Sequence, residues 1–220
     1  MSNKKRFSIL LLVFLAGTLC ASAQPFREEI ENFKKSDAQH PPPLHAILFV
    51  GSSSFTKWTD VQAYFPDVKI INRGFGGSSL PDVIRYADDI IFPYQPRQVV
   101  IYCGDNDLAA SDSVTSQMVF DRFTKLFRII RTRMPDENIV FVSIKPSPSR
   151  ARLMAKAEVA NDLIKSFLSA QKKTAFVDVY HLMLDKEGNP IAEIFLSDKL
   201  HMNARGYAIW KKAIEPYLIK

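Results

Sequence analysis

The chain has 220 residues, 47% of them hydrophobic and 24% charged, enough for one domain to bury a core of its own. Its 29 Lys and Arg outnumber 23 Asp and Glu, but the cations are spread along the sequence and form no polyanion patch, so no nucleic-acid partner is expected. The four histidines show no His-Glu-x-x-His spacing, the two cysteines no cluster, and no Walker or dinucleotide phosphate cradle occurs, so neither a metal nor a cofactor is expected.

At the N-terminus, Lys4, Lys5 and Arg6 precede an apolar run over residues 7–17 that is too short to span a bilayer comfortably. Ala21-Ser22-Ala23 then supplies the small side chains a signal peptidase accepts, which predicts a signal peptide over 1–23 and an exported chain, periplasmic or secreted, with no membrane span once cleaved. Lipidation at Cys20 is disfavoured by the bulky Leu19 before it. Cleavage leaves Cys103 alone, which excludes an intrachain disulfide and makes it a small core residue of an apolar strand.

Residues 25–36 read as an amphipathic surface helix, and His40-Pro41-Pro42-Pro43 as a semi-rigid connector, so 24–44 precede a domain over 45–220. Buried strands are predicted at 46–50, 68–71, 99–103, 139–144 and 174–177. Helical patterns fall between and after them at 60–65, 82–91, 114–134, 150–170 and 204–218. Strict alternation of this kind implies parallel strands with right-handed crossovers: an α/β fold built as a three-layer α/β/α sandwich on a five-stranded parallel sheet.

In open parallel sheets, ligand chemistry gathers at the carboxyl ends of the strands. The first three predicted strands run into Gly51-Ser52-Ser53-Ser54, Arg73-Gly74-Phe75-Gly76-Gly77-Ser78 and Gly104-Asp105-Asn106-Asp107, all small, polar and glycine-rich. Acyl transfer needs a hydroxyl, a base, a carboxylate to orient the base, and donors for the developing oxyanion. Ser53 offers the hydroxyl, and Asp198-Lys199-Leu200-His201 an acid and an imidazole held together by a short separation. His40, His45 and His181 show no such partner. Gly77 and Asn106 can supply a backbone and an amide N–H. Taken singly, each feature is also ordinary: glycines serve turns that need positive φ, and asparagines shape loops.

Together, in this order, Gly51-Ser52-Ser53, the segment from Asn72 to Gly77, Gly104-Asp105-Asn106-Asp107 and Asp198-Lys199-Leu200-His201 resemble blocks I, II, III and V of the SGNH/GDSL hydrolases. The resemblance covers residues 45–218 and implies a flavodoxin-like SGNH hydrolase fold and a serine esterase. It implies Ser53 as nucleophile, His201 as base and Asp198 as its orienting acid. The oxyanion donors would be Ser53, Gly77 and Asn106. The Gly-x-Ser-x-Gly elbow of the larger α/β hydrolases is absent.

Two departures stand out. Ser52 occupies a position where the family usually has Asp, replacing a carboxylate that braces the nucleophile loop. Asp105 stands where relatives often carry Glu or another residue before the asparagine, at a position expected to need only polarity. Lys145-Pro146-Ser147-Pro148 is read either as a pocket wall or as a rigid turn, and Phe195 and Leu196 as packing for the last loop or a wall for the acyl group. The expected substrate is a small ester, with O-acetyl groups on carbohydrate favoured by export. A lysophospholipase, a thioesterase or a lipid esterase of the platelet-activating-factor-acetylhydrolase type would carry the same triad. A non-catalytic carbohydrate-binding protein is the alternative from a different class.

Overall fold

The computed structural model describes residues 24–220, and the expected signal peptide at 1–23 lies outside them. In chain order the elements are α1 (Arg27–Gln39), β1 (Ile47–Gly51), α2 (Ser53–Thr56), α3 (Val61–Tyr64) and β2 (Ile70–Gly74). There follow α4 (Leu80–Arg85), α5 (Ala87–Ile90), β3 (Gln98–Tyr102), α6 (Asp105–Ala110), α7 (Ser116–Arg133) and β4 (Asn138–Val142). The chain closes with α8 (Met154–Ser169), β5 (Thr174–Val177) and α9 (Ala204–Ile214).

The five strands form one parallel sheet in the order β2-β1-β3-β4-β5, the α/β sandwich expected of the pattern. Successive residues of a strand face opposite sides, so an all-parallel sheet covered on both faces needs apolar residues at every position. The central strands β1, β3 and β4 meet that requirement beyond Gln98 and Asn138 at their starts. Leu48, Val50, Val99, Ile101, Ile139 and Phe141 pack into one core cluster with residues of α4, α5, α7 and α8. Ile47, Phe49, Val100, Tyr102, Val140 and Val142 pack into the other with Phe55, Trp58, Tyr207 and Trp210. Each large side chain so buried contributes on the order of 1.5–3 kcal/mol by leaving water.

Strand order reverses beside β1, where connections leave toward both sides and open a crevice at the strand ends. Gly51 pairs with Gly74 on one side and Tyr102 on the other, so β1, β2 and β3 deliver their following segments to the same edge. Helix α1 packs against this region. Its Ile30 is buried, the Phe26 and Phe75 rings meet edge-on at 5.2 Å, and the Gly76 N–H donates to Glu29 Oε1 at 3.1 Å.

Several expected boundaries shift, each for a local reason. Strand β2 starts later than expected and runs on through Asn72 and Arg73, because their polar groups are satisfied within the structure. Asn72 donates to the Phe55 carbonyl and accepts from the Gly74 N–H, while Arg73 pairs with Asp37 and Tyr94. The helix expected at 82–91 starts at Leu80, behind the capping box of Ser79 and Asp82, and breaks at Tyr86 into two. Pro148 opens a 3₁₀ segment through Leu153 with non-helical backbone at Arg150, so α8 starts only at Met154.

Candidate active site

β1 ends at Gly51 with φ +140°, and a Cβ there would lie 1.9 Å from the Tyr102 carbonyl oxygen. Only glycine passes so close in that conformation. The Ser52 N–H then donates to the same carbonyl at 3.0 Å, and Ser53 becomes the first residue of α2. The Ser52 side chain makes no cap on this helix. The turn is braced instead from outside. Asn72 Nδ2 donates to the Phe55 carbonyl at 2.7 Å, the Tyr207 hydroxyl to the Ser54 carbonyl at 3.0 Å, and Ser78 Oγ to the Gly51 carbonyl at 3.1 Å.

Across the crevice, the loop before α9 is shaped by its own aspartate. Asp198 Oδ1 accepts from the N–H groups of Leu200 and His201, both at 2.9 Å, while Lys199 takes a left-handed turn at φ +55°. The Leu196 N–H donates to the His201 carbonyl at 2.7 Å, closing the loop, and Asn203 caps α9 immediately afterwards. His201 Nδ1 lies 2.7 Å from Asp198 Oδ2, and His201 Nε2 lies 2.9 Å from Ser53 Oγ. A carboxylate only accepts, so Nδ1 carries the hydrogen and Nε2 is free to accept the Ser53 proton. The hydrogen bond from the His201 side chain, aided by the two backbone N–H groups, holds the Asp198 carboxyl well below the usual range.

Among the described residues, neither the Ser53 nor the Gly77 N–H has a hydrogen-bond partner. Gly77 sits at φ +83°, a conformation a side chain would strain, and a Cβ there would lie 3.9 Å from the Phe26 ring. Asn106 is not in a loop, as expected, but in the first turn of α6, which begins directly after Gly104. Its Nδ2 donates to the Ser78 carbonyl at 2.9 Å. Ser78, which the sequence did not single out, thus joins all three segments through one hydroxyl and one carbonyl.

Behind Asn106 is a cluster of buried charge. Asp105 Oδ1 lies 2.5 Å from Arg150 Nη1, and Asp105 Oδ2 lies 3.4 Å from Lys145 Nζ. Burial alone would push the Asp105 carboxyl up, but the Lys145 and Arg150 charges outweigh it and the net shift is downward. Burial pushes the Lys145 ammonium down. Position 105 therefore needs more than polarity: it needs an anion between two cations. Asp107, fully enclosed, accepts from the Leu80 N–H at 2.9 Å and Arg122 at 2.8 Å, and burial raises its carboxyl.

Lys145 and Ser147 are buried, and the Ser149 N–H donates to the Lys199 carbonyl at 3.0 Å, so the 145–148 segment abuts the Asp198 loop as well as turning the chain. Phe195 is buried in the core, whereas Leu196 stays 44% exposed beside the crevice. Cys103 is buried with its thiol pushed up by desolvation, as suits a core residue. His181 does have a partner, contrary to expectation: Nδ1 lies 2.8 Å from Asp178 Oδ2. Among the described residues, no group of three or more His, Cys, Asp or Glu could hold a metal ion, and no helix is long and apolar enough to cross a membrane.

The family model of the GDSL-like lipase/acylhydrolases matches residues 48–209, spanning every segment just described. The chain belongs to that family. It is accordingly a hydrolase of ester bonds, a class that acts on small ester substrates. No match was found among curated proteins. Among solved structures, this acylhydrolase is similar to a Streptococcus pneumonia protein described under the words platelet activating factor. That pair has a TM-score of 0.75 and 21% identity, over 87% of this chain and 92% of the other. A GDSL-like lipase from Bacteroides thetaiotaomicron gives 0.69 at 21% identity, over 85% and 95%. An acetylxylan esterase from Geobacillus stearothermophilus gives 0.64 at 14%, over 81% and 96%. At these identities the likeness is one of fold.

Proposed function

We propose that this acylhydrolase is an exported serine esterase that removes small acyl groups, O-acetyl above all, from carbohydrate, with Ser53, His201 and Asp198 as its triad. One observation carries the reading: His201 touches Ser53 Oγ at 2.9 Å through one ring nitrogen and Asp198 at 2.7 Å through the other. Ser53 Oγ attacks the ester carbonyl carbon and passes its proton to His201 Nε2, while the carbonyl electron pair moves onto oxygen. The N–H groups of Ser53, Gly77 and Asn106 hold that oxyanion. Its collapse expels the alcohol, which takes the proton from His201. Water then gives a proton to His201 as it attacks the acyl carbon, and the collapse of this second intermediate releases the acid while Ser53 Oγ leaves with the proton from His201. Asp198 keeps the imidazole in the required tautomer throughout.

The substrate reading rests on a site at an open sheet edge, with the Asp198 side chain 45% exposed, and on an acetylxylan esterase among the structural neighbours. Export rests on the basic and apolar pattern of residues 1–23. The purified protein is to be assayed on p-nitrophenyl esters of two, four, eight and twelve carbons, beside Ser53→Ala. Fastest cleavage of the acetate, with a dead variant, is the expected result. A preference for the longest chains would move the substrate to lipid, and no cleavage at all would leave a binding protein.

A further inference from the structure

An asparagine amide is nearly symmetric in shape, and rotating it by a half turn exchanges its oxygen for its nitrogen. Only one of the two orientations offers an N–H to an oxyanion. At Asn106 the surroundings admit just one. On one side Arg150 Nη2 lies 2.9 Å from Oδ1, and a guanidinium can only donate; on the other, the Ser78 carbonyl lies 2.9 Å from Nδ2 and can only accept. The carbonyl takes one amide hydrogen and leaves the second for the substrate.

Arg150 is itself held. Its Nη1 meets Asp105 at 2.5 Å, and the second oxygen of that carboxylate faces the buried Lys145. The chain also places Arg150 deliberately: Pro148 begins a 3₁₀ turn, Arg150 departs from helical backbone, and the neighbouring Ser149 N–H is tied to the Lys199 carbonyl in the Asp198 loop. A charged donor on an amide oxygen also draws electron density from the amide nitrogen, strengthening its remaining N–H as a donor.

We propose that Arg150 is a positioning residue for the oxyanion hole, fixing and polarising the Asn106 amide, with Asp105 as its anchor. This rests on the reading of Ser53 and Asn106 given above. Arg150 reaches the reaction only through Asn106, so its loss lowers turnover and leaves ground-state binding in place.

The test compares wild type, Arg150→Met, Arg150→Lys, Asn106→Ala, the Arg150→Met/Asn106→Ala double variant and Ser53→Ala. It reads kcat and KM on p-nitrophenyl acetate, and inhibition by phenylboronic acid, whose tetrahedral adduct with a serine places a boron-bound oxygen where the oxyanion forms. Arg150→Met should lower kcat by about 10²-fold, near the low end for losing one oxyanion donor. KM should stay within about threefold and boronate affinity should fall by about the same factor as kcat. Arg150→Lys should recover part of both, and the double variant should be no worse than Asn106→Ala alone.

Independent, multiplying losses in the double variant would overturn the proposal, as would an Arg150→Met enzyme with wild-type kcat and boronate affinity. If Arg150→Met does not fold, Arg150→Lys carries the test: wild-type kcat and boronate affinity there count against positioning, a matched fall in both for it. Ser53→Ala separates the two layers. An active Ser53→Ala removes the triad reading, whereas a dead Ser53→Ala beside an unaffected Arg150→Met removes only the role of Arg150.

Discussion

The chain contains three Asp-x-x-His segments, and two of them fold into nearly the same local object; in the third, Asp37 before His40 pairs with Arg73 and Tyr94 instead. In Asp178-Val179-Tyr180-His181, Asp178 Oδ1 accepts from the His181 N–H at 3.1 Å and its Oδ2 meets Nδ1 at 2.8 Å. In Asp198-Lys199-Leu200-His201 the corresponding distances are 2.9 and 2.7 Å. The motif therefore builds the same geometry at two separate turns of the backbone. What differs is the far side of the ring. His201 is 15% exposed and faces Ser53, whereas His181 is 61% exposed and its Nε2 has only Glu158 at 3.9 Å. An imidazole oriented by a carboxylate becomes chemistry only when the fold brings a nucleophile to its free nitrogen.

Ser53→Ala removes the one group that distinguishes the two sites, and should cut kcat by at least about 10⁴-fold with unchanged melting temperature; a variant within tenfold of wild type would take Ser53 out of the mechanism. Asp198→Asn should cost about 10⁴-fold in kcat by freeing the imidazole and its tautomer. The matched change Asp178→Asn should leave kcat within about twofold, as expected for a surface pair. Equal losses in the two aspartate variants would mean that the likeness extends to function.

Asp105→Asn probes the buried charge behind the site through stability. It leaves Lys145 and Arg150 without their shared anion and should destabilise the fold by about 3–5 kcal/mol, read by denaturant unfolding at pH 7. The net shift of this carboxyl is downward in the folded state, so its contribution is complete above its ordinary value of 3.8 and is lost as pH falls through the lowered folded value. The gap between wild type and variant should therefore narrow on acidification below about pH 4. A gap independent of pH would place the effect in packing instead. The smallest effect belongs to His181→Ala, which should leave both activity and melting temperature unchanged within error.

Much of this architecture was legible because the apolar runs around Phe49, Val100 and Val140 are short and alternate with longer helical patterns, as strands buried on both faces do. The three glycine-rich segments were legible as strand exits for the same reason. Strand β2 was harder, since Asn72 and Arg73 look like loop residues until Phe55, Asp37 and Tyr94 are brought alongside. The Asp178–His181 pair carries the same short spacing as Asp198–His201, so a scan for that spacing would have found it. Arg150 is different. It lies 44 residues from Asn106, and no local pattern signals their contact, because only the stacking of β3 and β4 side by side brings the segments after them together.

In the proposed mechanism the Ser53 hydroxyl, activated by His201, is the group that takes the acyl chain. The most direct measurement is intact-mass and peptide-level mass spectrometry after incubation with a fluorophosphonate, on wild type, Ser53→Ala and His201→Ala. A single adduct on the peptide containing Ser53 is expected in the wild type, none in Ser53→Ala and a much slower reaction in His201→Ala. An active esterase that stays unlabelled, or that carries its adduct on any other residue, would contradict it.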